Sequence, residues 1–393
     1  MPRTLRTLLV GGLLAAGALV QITWAEPEYR VLAEGTKQYP RNDSASIVEL
    51  QDGRLFMVWM EFFATDVEGG RDDGLNRIVS MTSDDGGRTW KNKRVELETN
   101  KGDKSVYNPA LLKLANGDVL FTFIRYHRLE WGAPYVISAY ARRSVDEAKT
   151  FSDPVIIFDH LPMGMGSDRL IQLSTGRVIL SIDRMLGPRG QKAASESGCY
   201  YSDDNARTWK MSESVVRLPM RGAMESIIAE TKDHELVMAM RTQLGSVFLS
   251  RSTDAGVHWS KAQTSGQTSP ESMPILRRVP LTGDLVLIWN NSEYDPGFVT
   301  HYGPRSPLTI AVSTDGGRTW AKNKNIETDP TYEFSNPSCL FTKSGSIIIT
   351  YFTSKMIKAE GGTKFGGSSM SLKAFIGSVD WLYEKDLGSR NKK

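Results

Sequence analysis

The stretch Ser83-Asp84-Asp85-Gly86-Gly87-Arg88-Thr89-Trp90, SDDGGRTW, returns almost unchanged as STDGGRTW, Ser313 to Trp320. Three looser copies lie between them: SVDEAKTF from Ser144, SDDNARTW from Ser202 and STDAGVHW from Ser252. The phrase is suited to a tight turn. An aspartate accepts hydrogen bonds from nearby backbone N–H groups, glycine supplies positive φ, Ser or Thr completes the polar network, and the indole packs over it. One such match is an ordinary hairpin turn. Five, at spacings of 61, 58, 50 and 61 residues, are a repeat, and periods of this size belong to solenoids, propellers and arrays. Asp84 is read as the aspartate that organises the first copy.

A second pattern runs between the turns: a short apolar strand, a turn usually holding Gly, and another apolar strand. It reads ASIVELQDGRLFMVW from Ala45, PALLKLANGDVLFTF from Pro109, DRLIQLSTGRVILSI from Asp168, SIIAETKDHELVMAM from Ser226, MPILRRVPLTGDLVLIW from Met273 and PSCLFTKSGSIIITYF from Pro337. These runs are rich in β-branched residues and Leu and too short for typical globular helices. Each of the first five precedes one more strand and then a copy of the turn. About 60 residues per unit suits a four-stranded sheet, and six such sheets predict an all-β chain folded as a six-bladed β-propeller. The sixth hairpin lacks the turn. Its sheet is expected to be completed by Met370 to Tyr383 and by an N-terminal strand around Tyr29 to Ala33, which closes the ring and covers its edges.

Residues 1–25 read as a leader rather than as fold. Arg3 and Arg6 form a basic start, Leu8 to Val20 a short apolar run, and Thr23-Trp24-Ala25 a small-residue cleavage site. The run falls short of the roughly 20 residues that span a bilayer, so the expectation is a secreted or periplasmic protein without a stable membrane span. The propeller is expected over 26–388, with 389–393 as a loose tail. With 48 basic and 45 acidic residues, the charge balance gives no reason to expect nucleic acid as a partner, and a monomer is expected. Cys199 and Cys339 fall in different repeats and are expected unpaired. The five histidines show no metal-binding spacing, so no metal and no cofactor is expected.

In a propeller the starts of the innermost strands and the ends of the strands that follow share one rim, where side chains from different blades surround a central cavity. Aligned on their turns, the hairpins place Ser44, Asn108, Ser167, Glu225, Ser272 and Asn336 at the starts. Glu61, Arg125, Asp183 with Arg184, Arg241 and Asn290 with Asn291 stand at the far ends. Asn108, Asp168, Glu271, Asn336, Arg125 and Arg184 are thus candidate cavity residues. Arginines and carboxylates converging there suggest an anionic ligand. The repeated turns should fall on the opposite face.

With these turns and hairpins, the chain resembles the sialidase (neuraminidase) superfamily of Asp-box propellers over nearly all of the stretch after the leader. The resemblance implies three arginines that clamp a sugar carboxylate, an aspartate acid/base, and a tyrosine nucleophile assisted by a glutamate. Arg41 before the first inner strand, Arg241 in LVMAMR and Arg305 in YGPRSPLT match the arginines, and Glu225 in MESIIAE matches the glutamate. Asp72 and Asp73, in GGRDDGLNR, stand where the acid/base belongs. At the nucleophile the chain departs from the pattern. Phe334, in YEFSNP, occupies the tyrosine place, and Tyr332 stands two residues earlier on the same face of an extended strand. The implied function is an exported exo-α-sialidase-like glycoside hydrolase acting on sialylated or other acidic glycans. Tyr332 would be the nucleophile, or else Glu225 would activate water. A non-catalytic acidic-glycan binder, or a hydrolase or lyase for uronic-acid polysaccharides, are the alternatives.

Overall fold

The computed structural model describes residues 26–64, 72, 74–190, 193–298, 301–359, 362–364 and 369–384. The leader, Asp73 and the tail 389–393 lie outside the described residues. Six antiparallel sheets follow one another along the chain, each built from the axis outwards. Blade 1 comprises Arg41–Glu49, Leu55–Phe62, Asn76–Ser83 and Lys91–Glu98, and blade 2 comprises Ser105–Lys113, Val119–Arg128, Val136–Ser144 and Val155–Leu161. In blade 3 the inner strand is split into Met163–Gly164 and Leu170–Gln172; both pieces pair with Val178–Leu186, followed by Ala194–Ser202 and the short Lys210–Met211. Blade 4 runs Met224–Glu230, Leu236–Arg241, Ser246–Ser252 and Gln263–Thr268, and blade 5 runs Ile275–Arg278, Leu285–Asn290, Leu308–Ser313 and Ala321–Glu327. Tyr332–Phe341, Ser346–Lys355 and Ser371–Ser378 make blade 6, and the N-terminal strand Glu28–Ala33 pairs with Ser371–Ser378 as its outermost strand.

Ring closure by the N-terminal strand therefore follows the sequence reading. The segment after Met370 differs in its last part: the strand stops at Ser378, whose hydroxyl accepts from the Trp381 N–H at 3.1 Å and caps a one-turn helix, Val379–Tyr383. The apolar residues do not form one central core. They fill the wedges between neighbouring blades, in clusters that join blades 1 to 3, 3 to 4, 4 to 6 and 6 to 1. Packing is thus radial, and the axis is left to polar side chains. Cys199 and Cys339 are buried and unpaired. No helix among the described residues is long and apolar enough to cross a membrane.

The repeated phrase folds into the same turn five times, between the third and fourth strands of blades 1 to 5. In the first copy Asp85 accepts from the Thr89 N–H at 2.9 Å, the Arg88 N–H at 3.0 Å and the Thr89 hydroxyl at 2.6 Å, while the Gly87 N–H donates to Ser83 Oγ at 2.9 Å. Asp146, Asp204 and Asp315 repeat this with Thr150, Thr208 and Thr319, and Asp254 uses the backbone and ring of His258. Asp84 is not the organising residue. It is exposed and pairs with Lys91, because the turn needs its carboxylate two positions after the serine.

Asp85→Ala should therefore lower stability by about 1–2 kcal/mol, whereas Asp84→Ala should stay within about 0.5 kcal/mol of the parent. Thermal melting of the two variants checks this. The Thr89 hydroxyl and the surrounding N–H groups hold Asp85 down to about 2. Its contribution is present above the ordinary carboxylate pKa near 4 and is lost as pH falls towards about 2. Between those values the melting temperature should fall less steeply for Asp85→Ala than for the parent.

Candidate functional site

Strand irregularities aim the site. Ser44, Asn108, Asp168, Glu225 and Asn336 all have left-handed backbones, with φ between 43° and 59°. In four blades the inner ladder slips register across this residue, and in blade 3 it is where the inner strand divides. A left-handed residue other than glycine costs about 1–2 kcal/mol, and a bulge re-aims the side chains beside it. Five polar residues at the equivalent place around an axis show that the strain recurs by position. In blade 3 the equivalent residue is Asp168, where the hairpin alignment had put Ser167. Blade 5 has no such bulge.

The rim these bulges surround holds a cavity of about 420 Å3. Arg41, Arg241 and Arg305, the three arginines singled out in the sequence, all line it, together with Asp72, Glu225, Asn108 and Asn336. Arg41 opens the inner strand of blade 1, and its guanidinium lies over the Phe62 ring at 4.5 Å. It donates from Nη2 to Asp43 Oδ2 at 2.7 Å and from Nη1 to Asp72 Oδ1 at 2.8 Å. Arg241 ends the second strand of blade 4 and donates to Glu225 Oε2 at 2.7 Å and Glu271 Oε1 at 2.6 Å. Arg305 reaches Ser335 Oγ at 2.8 Å and the Glu271 carbonyl at 3.2 Å.

Glu271 does not line the cavity. It is fully buried behind it, where it also accepts from Arg221 and from Gln243 Nε2 at 2.7 Å. Asp168 is likewise structural, held by Arg277 Nη2 at 2.5 Å and by Ser46 Oγ at 2.8 Å. Arg125 turns to Asp103 at 3.2 Å and Arg184 to Glu196, and neither lines the cavity. These four expectations are corrected: Arg125 and Arg184 find opposite charges away from the axis, Asp168 ties together the inner strands of blades 1, 3 and 5, and Glu271 is held behind the cavity by Arg241 and Arg221.

The tyrosine question resolves geometrically. Tyr332 does not line the cavity; it packs beside Phe334 at a centroid distance of 6.5 Å, on the apolar wedge of blades 4 to 6. Phe334 is buried there too, and Asn336 occupies the bulge. The tyrosine that does line the cavity near Asp72 is Tyr107, whose hydroxyl donates to the Asp72 carbonyl at 2.5 Å. Burial and the nearby Asp72 and Asp43 push its phenol well above 10, although Arg41 opposes them, so it stays protonated.

Sequence reading also missed Asp43, Glu333, Arg189, Arg221 and His301, all but Asp43 and Glu333 carried on loops. Asp43 was legible, since it stands two residues from Arg41 on the same strand face. The loop residues carry no periodic signal. Arg189 comes within 3.6 Å of Asp72 from a loop of blade 3.

The electrostatics are dominated by cations. Burial and then Arg305, Arg241, Arg221 and Arg41 drive His301 well below its ordinary value, so its ring is neutral at neutral pH. Burial and the neighbouring Arg241 bring even Arg305 down to about 10. Enclosure works against ionisation of Asp72 and Glu225, but Arg41 at the first and Arg241 at the second outweigh it, and both carboxyls sit below the usual range. Among the described residues His127, Asp159 and His160 are close enough to share an ion. Their two rings, however, stack in parallel at 4.3 Å, and His127 already bonds Asp103 and Ser138 through its two nitrogens. That cluster is also separate from the cavity lining.

A family model described as a BNR repeat-like domain matches residues 53–349. Among curated proteins, a sialidase of Bacteroides fragilis is 24% identical over 297 residues, covering 68% of this chain and 51% of that protein. A sialidase of Micromonospora viridifaciens is 26% identical over 279 residues, covering 64% of this chain and 41% of that protein. The chain thus spans about half the length of the curated relatives it matches. A solved sialidase of Streptococcus pneumoniae superposes with a TM-score of 0.69 at 12% identity, covering 90% of this chain and 71% of that one. At that identity the likeness speaks for the fold.

Removing a buried charge that serves two guanidiniums should be costly. Glu271→Gln is expected to destabilise the fold by roughly 3–5 kcal/mol, far more than Arg184→Gln at the half-exposed Arg184 on the second strand of blade 3, and denaturant titration of the two variants measures the difference.

Proposed function

We propose a function from one premise: the chain belongs to the BNR repeat-like domain family, and its cavity gathers three arginines with two ionised carboxylates. The function is hydrolysis of the glycosidic bond to a terminal sugar that bears a carboxylate, as in sialylated glycans. One observation carries this reading: Arg41, Arg241 and Arg305 line a single cavity, where burial and the field of their charges help to drive His301 well below its ordinary value. A carboxylate is the ligand that such a field favours, and guanidinium groups can meet it through paired hydrogen bonds.

The chemistry follows from the two carboxylates. In the free site Asp72 is ionised against Arg41. A substrate carboxylate at Arg41 adds a second negative charge beside Asp72, which raises its pKa and lets it carry a proton. Asp72 then gives that proton to the glycosidic oxygen as the bond from that oxygen to the anomeric carbon breaks. Glu225, ionised by Arg241, takes a proton from water as the water oxygen bonds to the anomeric carbon. The product is the free acid sugar plus the alcohol of the remaining glycan, and direct attack by water inverts the anomeric centre. Water is preferred to a tyrosine nucleophile because neither Tyr332 nor Phe334 lines the cavity, and burial raises the phenols that do line it, Tyr107, Tyr126 and Tyr135, above their ordinary value. The same observation supports a second reading, an acidic-glycan-binding propeller without turnover. Export through the N-terminal leader, and a monomer in solution, belong to both readings.

The purified chain should release free sialic acid from an aryl sialoside, with or without EDTA, and NMR of the first-formed product should show the inverted anomer. No turnover on any sialoside together with tight binding of the acid would favour the binding module. Glu225→Gln should cut turnover at least about a hundredfold with little change in melting temperature. Arg305→Lys should weaken binding of the acid about tenfold or more, since an ammonium replaces a planar fork; calorimetry reads this directly.

A further inference from the structure

Asp183, like Glu333, is a carboxylate at the cavity that the scheme above leaves without a task. It stands near the end of the second strand of blade 3, opposite Ser197 on one side and Gly164 on the other. It lines the cavity and is 8% exposed. Its Oδ1 is buried and has no hydrogen-bond partner among the described residues, and the Glu225 backbone N–H serves the carboxyl group. The space it occupies is shaped for it, because a Cβ on Gly164 would lie 3.0–3.3 Å from its carboxyl atoms.

An ionised carboxylate placed there would be poorly kept. A buried acceptor without a donor forfeits its hydration, and the charge of Glu225 faces it. In a cavity that receives an anion it would also repel the ligand. A neutral carboxylic acid has none of these faults, since its O–H is a donor available to whatever fills the cavity. Burial first, then the Glu225 charge, raise Asp183 to about 7. Arg241 on blade 4 and Arg169 on the inner segment of blade 3 act in the opposite direction, and the phenols of Tyr126 and Tyr135 face it from blade 2.

We infer that Asp183 receives the ligand as a neutral carboxylic acid and donates a hydrogen bond to an oxygen of the bound sugar, so that it is a further substrate-binding residue. The inference rests on the acid-sugar reading for the identity of the ligand. The group donates while protonated and repels once ionised, so the affinity for an acid sugar is highest below the Asp183 pKa and falls as pH rises through it.

The test has two arms. Infrared difference spectra of the ligand-free chain, parent minus Asp183→Asn, should show a protonated carboxyl band at about pH 5.5 that is gone at about pH 8.5. Calorimetry with free sialic acid should show the parent weakening at least about fivefold between those values. Asp183→Asn, which keeps a donor but cannot ionise, should bind a few-fold more weakly than the parent at the lower pH and weaken less than the parent at the higher, keeping only the part that proton uptake at Asp72 contributes. Asp183→Ala should lose roughly tenfold at the lower pH, about the effect of one hydrogen bond. No carboxyl band, or a fall in affinity with pH as large in Asp183→Asn as in the parent, or an alanine variant that binds as the parent does, would overturn the inference. A band present with no binding of sialic acid at any pH would overturn the substrate proposed above and bear out the neutral Asp183.

Discussion

The guanidinium groups of Arg41, Arg241 and Arg305 share one cavity, which Arg189 and Arg221 also line, and the rest of the site is arranged to make that tolerable. Bare cations in a protein interior would be driven out or neutralised by desolvation. Here Asp43 stands behind Arg41, and Glu271 stands behind Arg241 and Arg221 while its carbonyl receives Arg305. The two carboxylates are fully buried, and they leave the front of the arginines turned to the cavity. The compensation is incomplete by design of the geometry: His301 and Arg305 are both pushed down by the surplus of positive charge. On the proposed function, a bound anion would supply what the protein withholds.

The propeller makes this arrangement possible by dividing labour between its two faces. On one face the repeated aspartate turns lock the third and fourth strands of five blades with short-range hydrogen bonds. On the other, left-handed residues at the inner strand starts break the regular ladder and turn side chains towards the axis. The strain at Ser44, Asn108, Asp168, Glu225 and Asn336 is thus kept beside the site, while the turns that stabilise the blades lie away from it. Wedges of apolar residues between blades hold the two faces at a fixed separation.

The fold was legible because its signals are local and repeated: a turn phrase, a hairpin pattern, a period. Arg241 and Glu225 were legible because strand ends in a propeller converge on one rim, and Arg41 and Arg305 because the stretches around them resemble the sialidase superfamily. What escaped was set by distant partners. Nothing in the sequence around Arg125 or Arg184 says that Asp103 and Glu196 will draw them away from the axis, or that Glu271 will sink behind it. Tyr332 does share a strand face with Phe334, but that face packs into the apolar wedge, and the alternate residue Glu333 is the one that lines the cavity. Asp84 was misread for Asp85 by one position, a difference that only the hydrogen bonds of the turn make plain. Tyr107, by contrast, lies near the start of an inner strand and does reach the cavity.

The central claim is that the arginines recognise a carboxylate, and it is tested most directly by changing the ligand and leaving the protein untouched. Calorimetry of the full chain with sialic acid and with its methyl ester compares the same sugar with and without the negative charge. The account predicts that the ester binds at least about tenfold more weakly, and that the difference shrinks as salt is raised. Equal affinity for acid and ester would contradict it.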